Sequence, residues 1–221
     1  SNGGGSILIQ EGVGTGDDSK FRTTLTARQV TFDNNHAVED GGTLYSEEKT
    51  SIYMYETKIQ HSSSEKNGGS IKMKSSKLFM KDSVIDQSTA RISGGAISVD
   101  VMKENIDVKA TGSIIQHCQT TGSSASNTES GATGSGATKS TMNMDGKGGA
   151  LSVNGPFAFI LHELAMIQNT AGIGGGVHVE DEGTFGCISC RVDSNIAQTD
   201  GGGIYVGING QLKFSFSNVT K

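Results

Sequence analysis

Three side chains in this sequence have the types and the spacing for acid–base chemistry: Asp100, His178 and Glu180. His178 and Glu180 are two residues apart, which on an extended strand places both side chains on one face. Asp100 holds the same place in an earlier copy of a repeat that Glu180 holds two copies later. If the copies stack as strands, the carboxyl groups stand about 9.6 Å apart, close to the upper end of the roughly 6.5–9.5 Å that separates acid from base in inverting glycoside hydrolases. A β-helical polysaccharide-binding or polysaccharide-cleaving domain, lyase or hydrolase, is therefore the alternative reading. Against it, the equivalent positions in the other copies are Gln10, Glu47, Lys74, Asn154 and Gly207, a mixture that any solvated strand face can carry. No Gly-Gly-x-Gly-x-Asp calcium nonapeptide accompanies them. The expectation is a non-enzymatic protein without cofactor or metal.

Three cysteines, Cys118, Cys187 and Cys190, are too few and too odd in number for a disulfide framework. The Cys187-Ile188-Ser189-Cys190 spacing has neither the second pair that zinc wants nor the helix start of thioredoxin-like chemistry. Buried core thiols are the expectation, with a local disulfide as the alternative. The net charge of −5, from 18 basic and 23 acidic residues, comes with no run of lysine and arginine, so nucleic acid is excluded as a partner. The apolar runs fall well short of the roughly 18 residues of a membrane span, and no insertion in a bilayer by this segment is expected.

The elements that would position these residues follow from a repeated phrase. Double glycines begin at Gly4, Gly41, Gly68, Gly94, Gly148, Gly174 and Gly201, with gaps of 37, 27, 26, 54, 26 and 27 residues. Such a period marks a solenoid. Three residues after each mark stand Ile7, Leu44, Ile71, Ile97, Leu151, Val177 and Ile204, and two further on the position is again mostly apolar. That alternation buries one face of a strand. Apolar pairs recur near offsets +11 and +13 (Ile52 and Met54, Leu78 and Met80, Phe159 and Leu161, Phe185 and Cys187, Leu212 and Phe214), and a single site near +18 (Ile59, Ile85, Met166, Val192, Val219). Three short strands per coil, each pairing with its own copies, predict an all-β right-handed parallel β-helix of about seven coils of 26–27 residues. It is a single domain over residues 1–221, with insertion loops at about 11–20 and 120–146.

The structural residues are expected to be the paired glycines Gly41 and Gly42, Gly68 and Gly69, Gly94 and Gly95, Gly148 and Gly149, Gly174 and Gly175, and Gly201 and Gly202, which enter a tight corner at positive φ. Near offset +21, Asn35, Asn169 and Asn195, with Ser62 and Ser88, predict left-handed corners and a polar ladder that sets register. Glu47, Lys49, Lys72 and Lys74 are expected on the solvated outside. The final coil stops short of its polar corner, so the chain reads as a segment of a larger one or as a subunit that stacks end to end, its partners being further β-helix coils or copies of itself.

Gly94-Gly95-Ala96-Ile97 and Gly148-Gly149-Ala150-Leu151 match the GGA[ILV] half, and Phe32-Asp33-Asn34-Asn35 the FxxN half, of a repeat known from chlamydial polymorphic outer-membrane proteins, with Met166–Asn169 and Val192–Asn195 as conservative versions. The chain resembles that family over nearly all its coils. The resemblance implies a β-helical passenger at the cell surface or outside it, a rigid structural and adhesion module that presents residues and loops to a cell-surface receptor or glycan, or stacks into a filament. Neither the family's leader nor its carboxyl-terminal barrel is expected within these 221 residues. Asn218-Val219-Thr220 is a possible N-glycosylation site.

Overall fold

The computed structural model describes residues 7–9, 23–101, 107–122, 145–155, 158–180 and 182–220. Every element among them is a strand, and every strand pairs in parallel with its own copy one coil away. The result is a parallel β-solenoid. Its first sheet stacks Ile7–Ile9, Leu44–Ser46, Ile71–Lys74, Ile97–Asp100, Leu151–Asn154, Val177–Val179 and Ile204–Val206. Seven strands at about 4.8 Å make a column roughly 30 Å tall.

Register in this sheet is set by the residue three places after each glycine mark. Ile7 pairs with Leu44, and the file continues through Ile71, Ile97, Leu151 and Val177 to Ile204 without a slip. Ile97 and Leu151 are direct neighbours although 53 residues lie between them. A long excursion costs little closure entropy, whereas a one-residue slip would turn every apolar side chain outward. The two expected insertions, at 11–20 and over most of 120–146, lie outside the described residues, as do Pro156 and Phe157.

The second face consists of two sheets, one of Thr23–Arg28, Thr50–Tyr55, Lys77–Lys81 and Asp107–Thr111, the other of Ala158–His162, Thr184–Ile188 and Gln211–Ser215. The break falls after the coil that opens at Gly94, where Ile97 and Ile115 are 18 residues apart while Leu151 and Met166 are 15 apart. The third sheet runs seven strands deep, with Phe32, Ile59, Ile85, Ile115, Met166, Val192 and Val219 in one file. The three expected ladders are thus present. A fourth, short one adds to them at the polar corner: His36–Ala37, Ser63–Ser64, Thr89–Ala90, Gln119–Thr120, Thr170–Ile173 and Ile196–Asp200. Its strands are mostly two residues long and built of small or polar residues, with isoleucine only at Ile173 and Ile196, so hydrophobic alternation gives it no clear signature.

The interior is a stack of like on like. Ile52, Ile71, Met73, Leu78, Ile85 and Val99 have essentially no exposed surface, and they form one cluster with Val153, Met166, Val177 and Phe185. Each parallel sheet is covered on its inner face by the others, one of the two faces that parallel ladders ordinarily have covered.

The cysteine expectation is corrected here. Cys187 and Cys190 form a disulfide, with Cα atoms 5.7 Å apart. Cys187 stands in an inward file between Leu161 and Phe214, Ser189 turns the chain at φ 57°, and Cys190 is brought back inward, within bridging distance. Cys118 is a free thiol, buried, with its pKa pushed up to about 12 by burial, which makes it a poor nucleophile. The bridge closes only a small loop, so replacing both partners with serine is expected to lower stability by about 2 kcal/mol. Thermal melts of the oxidised, reduced and double-serine forms check this, and the last two should coincide.

Candidate functional site

The glycine corner is the best-built feature of the molecule. The first glycine of each pair, at 41, 68, 94, 148, 174 and 201, has φ between 62° and 68°. A Cβ there would lie 2.2–2.5 Å from the carbonyl oxygen three residues on. The second glycine is not at positive φ, which corrects the expectation for Gly42, Gly69, Gly95, Gly149, Gly175 and Gly202. Its constraint is close approach: a Cβ on Gly42, Gly69, Gly95, Gly149 or Gly175 would sit 2.1–2.3 Å from the carbonyl oxygen of the corresponding glycine in the next coil. Gly202, on the last rung, meets nothing nearer than 3.4 Å.

The polar corner is a ladder in part. Asn195 accepts from both the backbone N–H and the side-chain amide of Asn169, each at 2.9 Å, and Asn169 accepts in turn from the N–H of Cys118. Their amides donate to Met166 O and Ile115 O. Asn35 instead donates to Thr43 Oγ1, which also meets Ser62 Oγ at 2.7 Å, and Ser88 meets Ser70. Hydroxyl pairs across the interior thus replace the amide ladder where Thr43 and Ser70 stand in place of Ala96 and Ala150. The left-handed residue is the one before each of these positions: Asn34, His61, Gln87, His117, Gln168 and Ser194. Asn169 and Asn195 thus make the expected polar ladder and Asn35 bonds to Thr43 instead, while the left-handed corner expected at all three falls on the residue before.

A second ladder escaped the sequence reading. At the corner after the second strand, the N–H of Thr57 donates to Ser83 Oγ, that of Ser83 to Ser113 Oγ, and that of Cys190 to Ser217 Oγ, at 3.1–3.2 Å. Each serine hydroxyl donates back to the carbonyl two residues earlier. Its signal was a small hydroxyl at offset +15 or +16 (Thr57, Ser83, Ser217), displaced to +19 at Ser113 in the longer coil and masked by Leu164 and Cys190.

Residues 29–47 match the family model of the Chlamydia polymorphic membrane protein (Chlamydia_PMP) repeat. This single short match covers the two corners just described, from the Phe32–Asn35 turn to Gly41, Gly42 and the strand after them. No curated protein and no solved structure matches the chain. The repeat thus coincides with one unit of solenoid geometry: an inward apolar side chain, a left-handed residue, a bridging amide, and the glycine pair that the next coil rests on.

The expected acid–base residues stand on the outer side of the first sheet. Asp100 pairs in register with Asn154, whose amide donates to it at 2.9 Å, and Asp100 Oδ1 lies 2.6 Å from Lys72 Nζ. Two coils on, Glu180 receives Lys147 Nζ at 3.1 and 3.2 Å, and His178 Nδ1 is 4.0 Å from Glu180. Asp100 and Glu180 each engage a lysine, Lys72 and Lys147 respectively. His178 is only 3% exposed and stacks on Tyr205 with ring centres 5.1 Å apart. Among the described residues, no three of His, Cys, Asp and Glu are placed to hold a metal ion.

That outer face is less open than alternation implies. Tyr45, Lys72, Ser98, Ser152 and His178 are all buried, and Lys72, expected on the solvated outside, is 1% exposed. Side chains of the residues before each glycine pair line the same face: Asn67 donates to Asp40, and Ser93 donates to Asn67 and meets Ser98 Oγ at 3.2 Å. Lys72 donates to Ser98 Oγ as well as to Asp100.

The third corner carries exposed histidine–carboxylate rungs. His61 Nδ1 lies 2.9 Å from Asp33, and His117 Nδ1 2.9 Å from Asp86 with its Nε2 2.8 Å from Gln168. The hydrogen bond to Asp33 raises the pKa of His61 above 6.5, that to Asp86 does the same for His117, and the bond from His61 lowers Asp33 below 3.8. A raised histidine stabilises the fold below its unfolded pKa and loses that contribution as pH rises through the folded value; the lowered Asp33 contributes above about 3.8. Stability is thus expected to fall between pH 6 and 8, roughly spanning the ordinary histidine range. Thermal melts across that window check it, and His61→Gln with His117→Gln should flatten the slope. Asn218 is exposed on the last strand of the third sheet, and Thr220 of the same tripeptide donates to Asp193 at 2.6 Å.

Proposed function

We propose that this chain is a non-enzymatic surface module: a stiff β-solenoid column that displays outward side chains and loops for adhesion at or beyond the cell surface, and that accepts a further coil on its terminal rung. The match of residues 29–47 to a polymorphic membrane protein repeat supports the surface location, and the Cys187–Cys190 bridge fits an oxidising compartment. The observation that carries the stacking part is how coil meets coil: each second glycine from Gly42 to Gly175 has the next coil's carbonyl oxygen where a Cβ would go, and Gly202 repeats the same residue. Parallel strands of this kind recruit further strands.

Light scattering and negative-stain microscopy of the chain test this reading. End-to-end rods are expected, and Gly202→Ala should shorten them to single columns, the melting temperature falling only by what stacking contributes. Single columns for both proteins at high concentration would overturn the stacking part.

A further inference from the structure

The outer face of the four-strand sheet does not share the acidic balance of the chain. Along Thr23–Arg28, Thr50–Tyr55, Lys77–Lys81 and Asp107–Thr111, the inward files are Leu25–Ile52–Leu78–Val108 and Ala27–Met54–Met80–Ala110. The alternate residues face outward. They include Arg28, Lys77, Lys81 and Lys109, in a protein whose net charge is −5, with Asp107 at the register position beside Lys77.

Two of the four cations, Arg28 and Lys109, are held over rings. Tyr53 and Phe79 stack across adjacent coils with centroids 4.8 Å apart and planes 6° apart. Lys109 Nζ lies 5.4 Å from the Phe79 centroid, and the Arg28 guanidinium 4.1 Å above Tyr55. A cation held over a ring is positioned before any ligand arrives. Because Tyr53 and Phe79 cover each other's faces, their edges point outward, so the face offers positive charge and tyrosine hydroxyls rather than a flat ring. Lys77 and Lys81 are about 13 Å apart along one strand, and Arg28 and Lys81 sit in one file about 9.6 Å apart along the column.

We propose that this face binds an acidic polysaccharide, a sulfated or carboxylated glycan laid across the strands. The proposal rests on the surface-module reading and names its partner. Fixed charges at two spacings suit a chain with periodic anionic groups, and the intervening Thr26, Ser51, Tyr53 and Tyr55 hydroxyls suit sugar oxygens. Neutral glycans would leave the cations without counter-charge. Nucleic acid binders neutralise some 6–10 phosphates, more than four cations on one small face can reach.

Binding of the full chain to heparin, to dextran and to a short DNA duplex, at low and high salt, tests this. Heparin should bind, weaken with salt as contacts between exposed charges do, and out-compete DNA; dextran should not bind. Lys77→Glu with Lys81→Glu, both outside the core files, should reduce heparin affinity roughly 10- to 100-fold, since each rim contact is worth a fraction of a decade and reversal adds repulsion. The melting temperature should hold. Lys58→Glu, on the adjoining third sheet, should leave affinity unchanged. No heparin binding at low salt, equal affinity for DNA, or equal loss from Lys58→Glu would each overturn the proposal, and because circular dichroism reports the solenoid separately, none of these outcomes bears on the column itself.

Discussion

Replacing Gly95 with alanine should lower stability by about 3–5 kcal/mol, the range of a severe backbone clash, which for a chain of this size is a fall in melting temperature of roughly 10–15 °C. The added Cβ would stand 2.2 Å from the carbonyl oxygen of Gly149 and 2.7 Å from the backbone N and C of Gln119. All three obstacles are main chain, so no side chain can swing away. Relief requires parting two rungs, which stretches the bonds from Gly95 N to Gly148 O and from Ile97 N to Ala150 O, both 2.9 Å. The contrast with Gly202→Ala, chemically the same change on a rung with nothing above it, separates close approach from helix-wide glycine entropy. A solenoid is held together rung by rung, so hydrogen exchange should accelerate first on both sides of Gly95. A melting temperature within two or three degrees of the parent, on the scale of about 1 kcal/mol, would show that the coils are not in contact at this corner.

The second large effect is expected at the Lys72–Asp100 pair. Asp100→Ala leaves an ammonium group that is 1% exposed and still donates to Ser98 Oγ but has lost its carboxylate, and removing one member of a buried pair costs about 3–5 kcal/mol. Lys72→Met should be neutral or stabilising, because desolvation of the ammonium no longer has to be offset. Burial, more than Asp100 compensates, pulls the Lys72 pKa below 10.5. A lysine lowered in this way binds fewer protons folded than unfolded, so stability rises with pH through that range. The rise should be steeper in Asp100→Ala and absent in Lys72→Met. If Asp100→Ala and Lys72→Met lose the same stability, the pair contributes through packing and the charge argument fails.

The division of labour between the two glycine positions of each pair separates what could be read early from what could not. Period, strand number on the main faces and the inward files were legible because each coil repeats the same apolar offsets, and a stacked column forces equal offsets into one line. Ile71, Ile97 and Leu151 illustrate this: their common place after the double glycine is sufficient to predict that they touch. The fourth ladder was hidden because Ser63, Ser64, Thr89 and Ala90 carry no alternation.

The outer surface was legible only as a set of directions. Alternation says that Lys72 points out of the first sheet, and so it does, but whether outward means solvated depends on what the preceding corner lays over it. Asp40, Asn67 and Ser93 approach that face only after the Gly-Gly turn has folded back, a relation between residues of different coils that no offset encodes. The disulfide has the same origin. Cys187 looked like a small core residue in its file, and only the left-handed turn at Ser189 brings Cys190 beside it.

By itself, then, the amino-acid order determined a repeating, strand-only chain whose apolar residues must line up, since periodicity is a property of one dimension and stacking converts it directly into contact. Tertiary structure alone decided which outward groups meet water, which lysine is sealed against its aspartate, which cysteines bond, and why the second glycine cannot be anything larger. Those outcomes depend on distances between neighbouring coils, and a distance of 2.2 Å between a missing Cβ and a carbonyl oxygen exists only once two coils are pressed together.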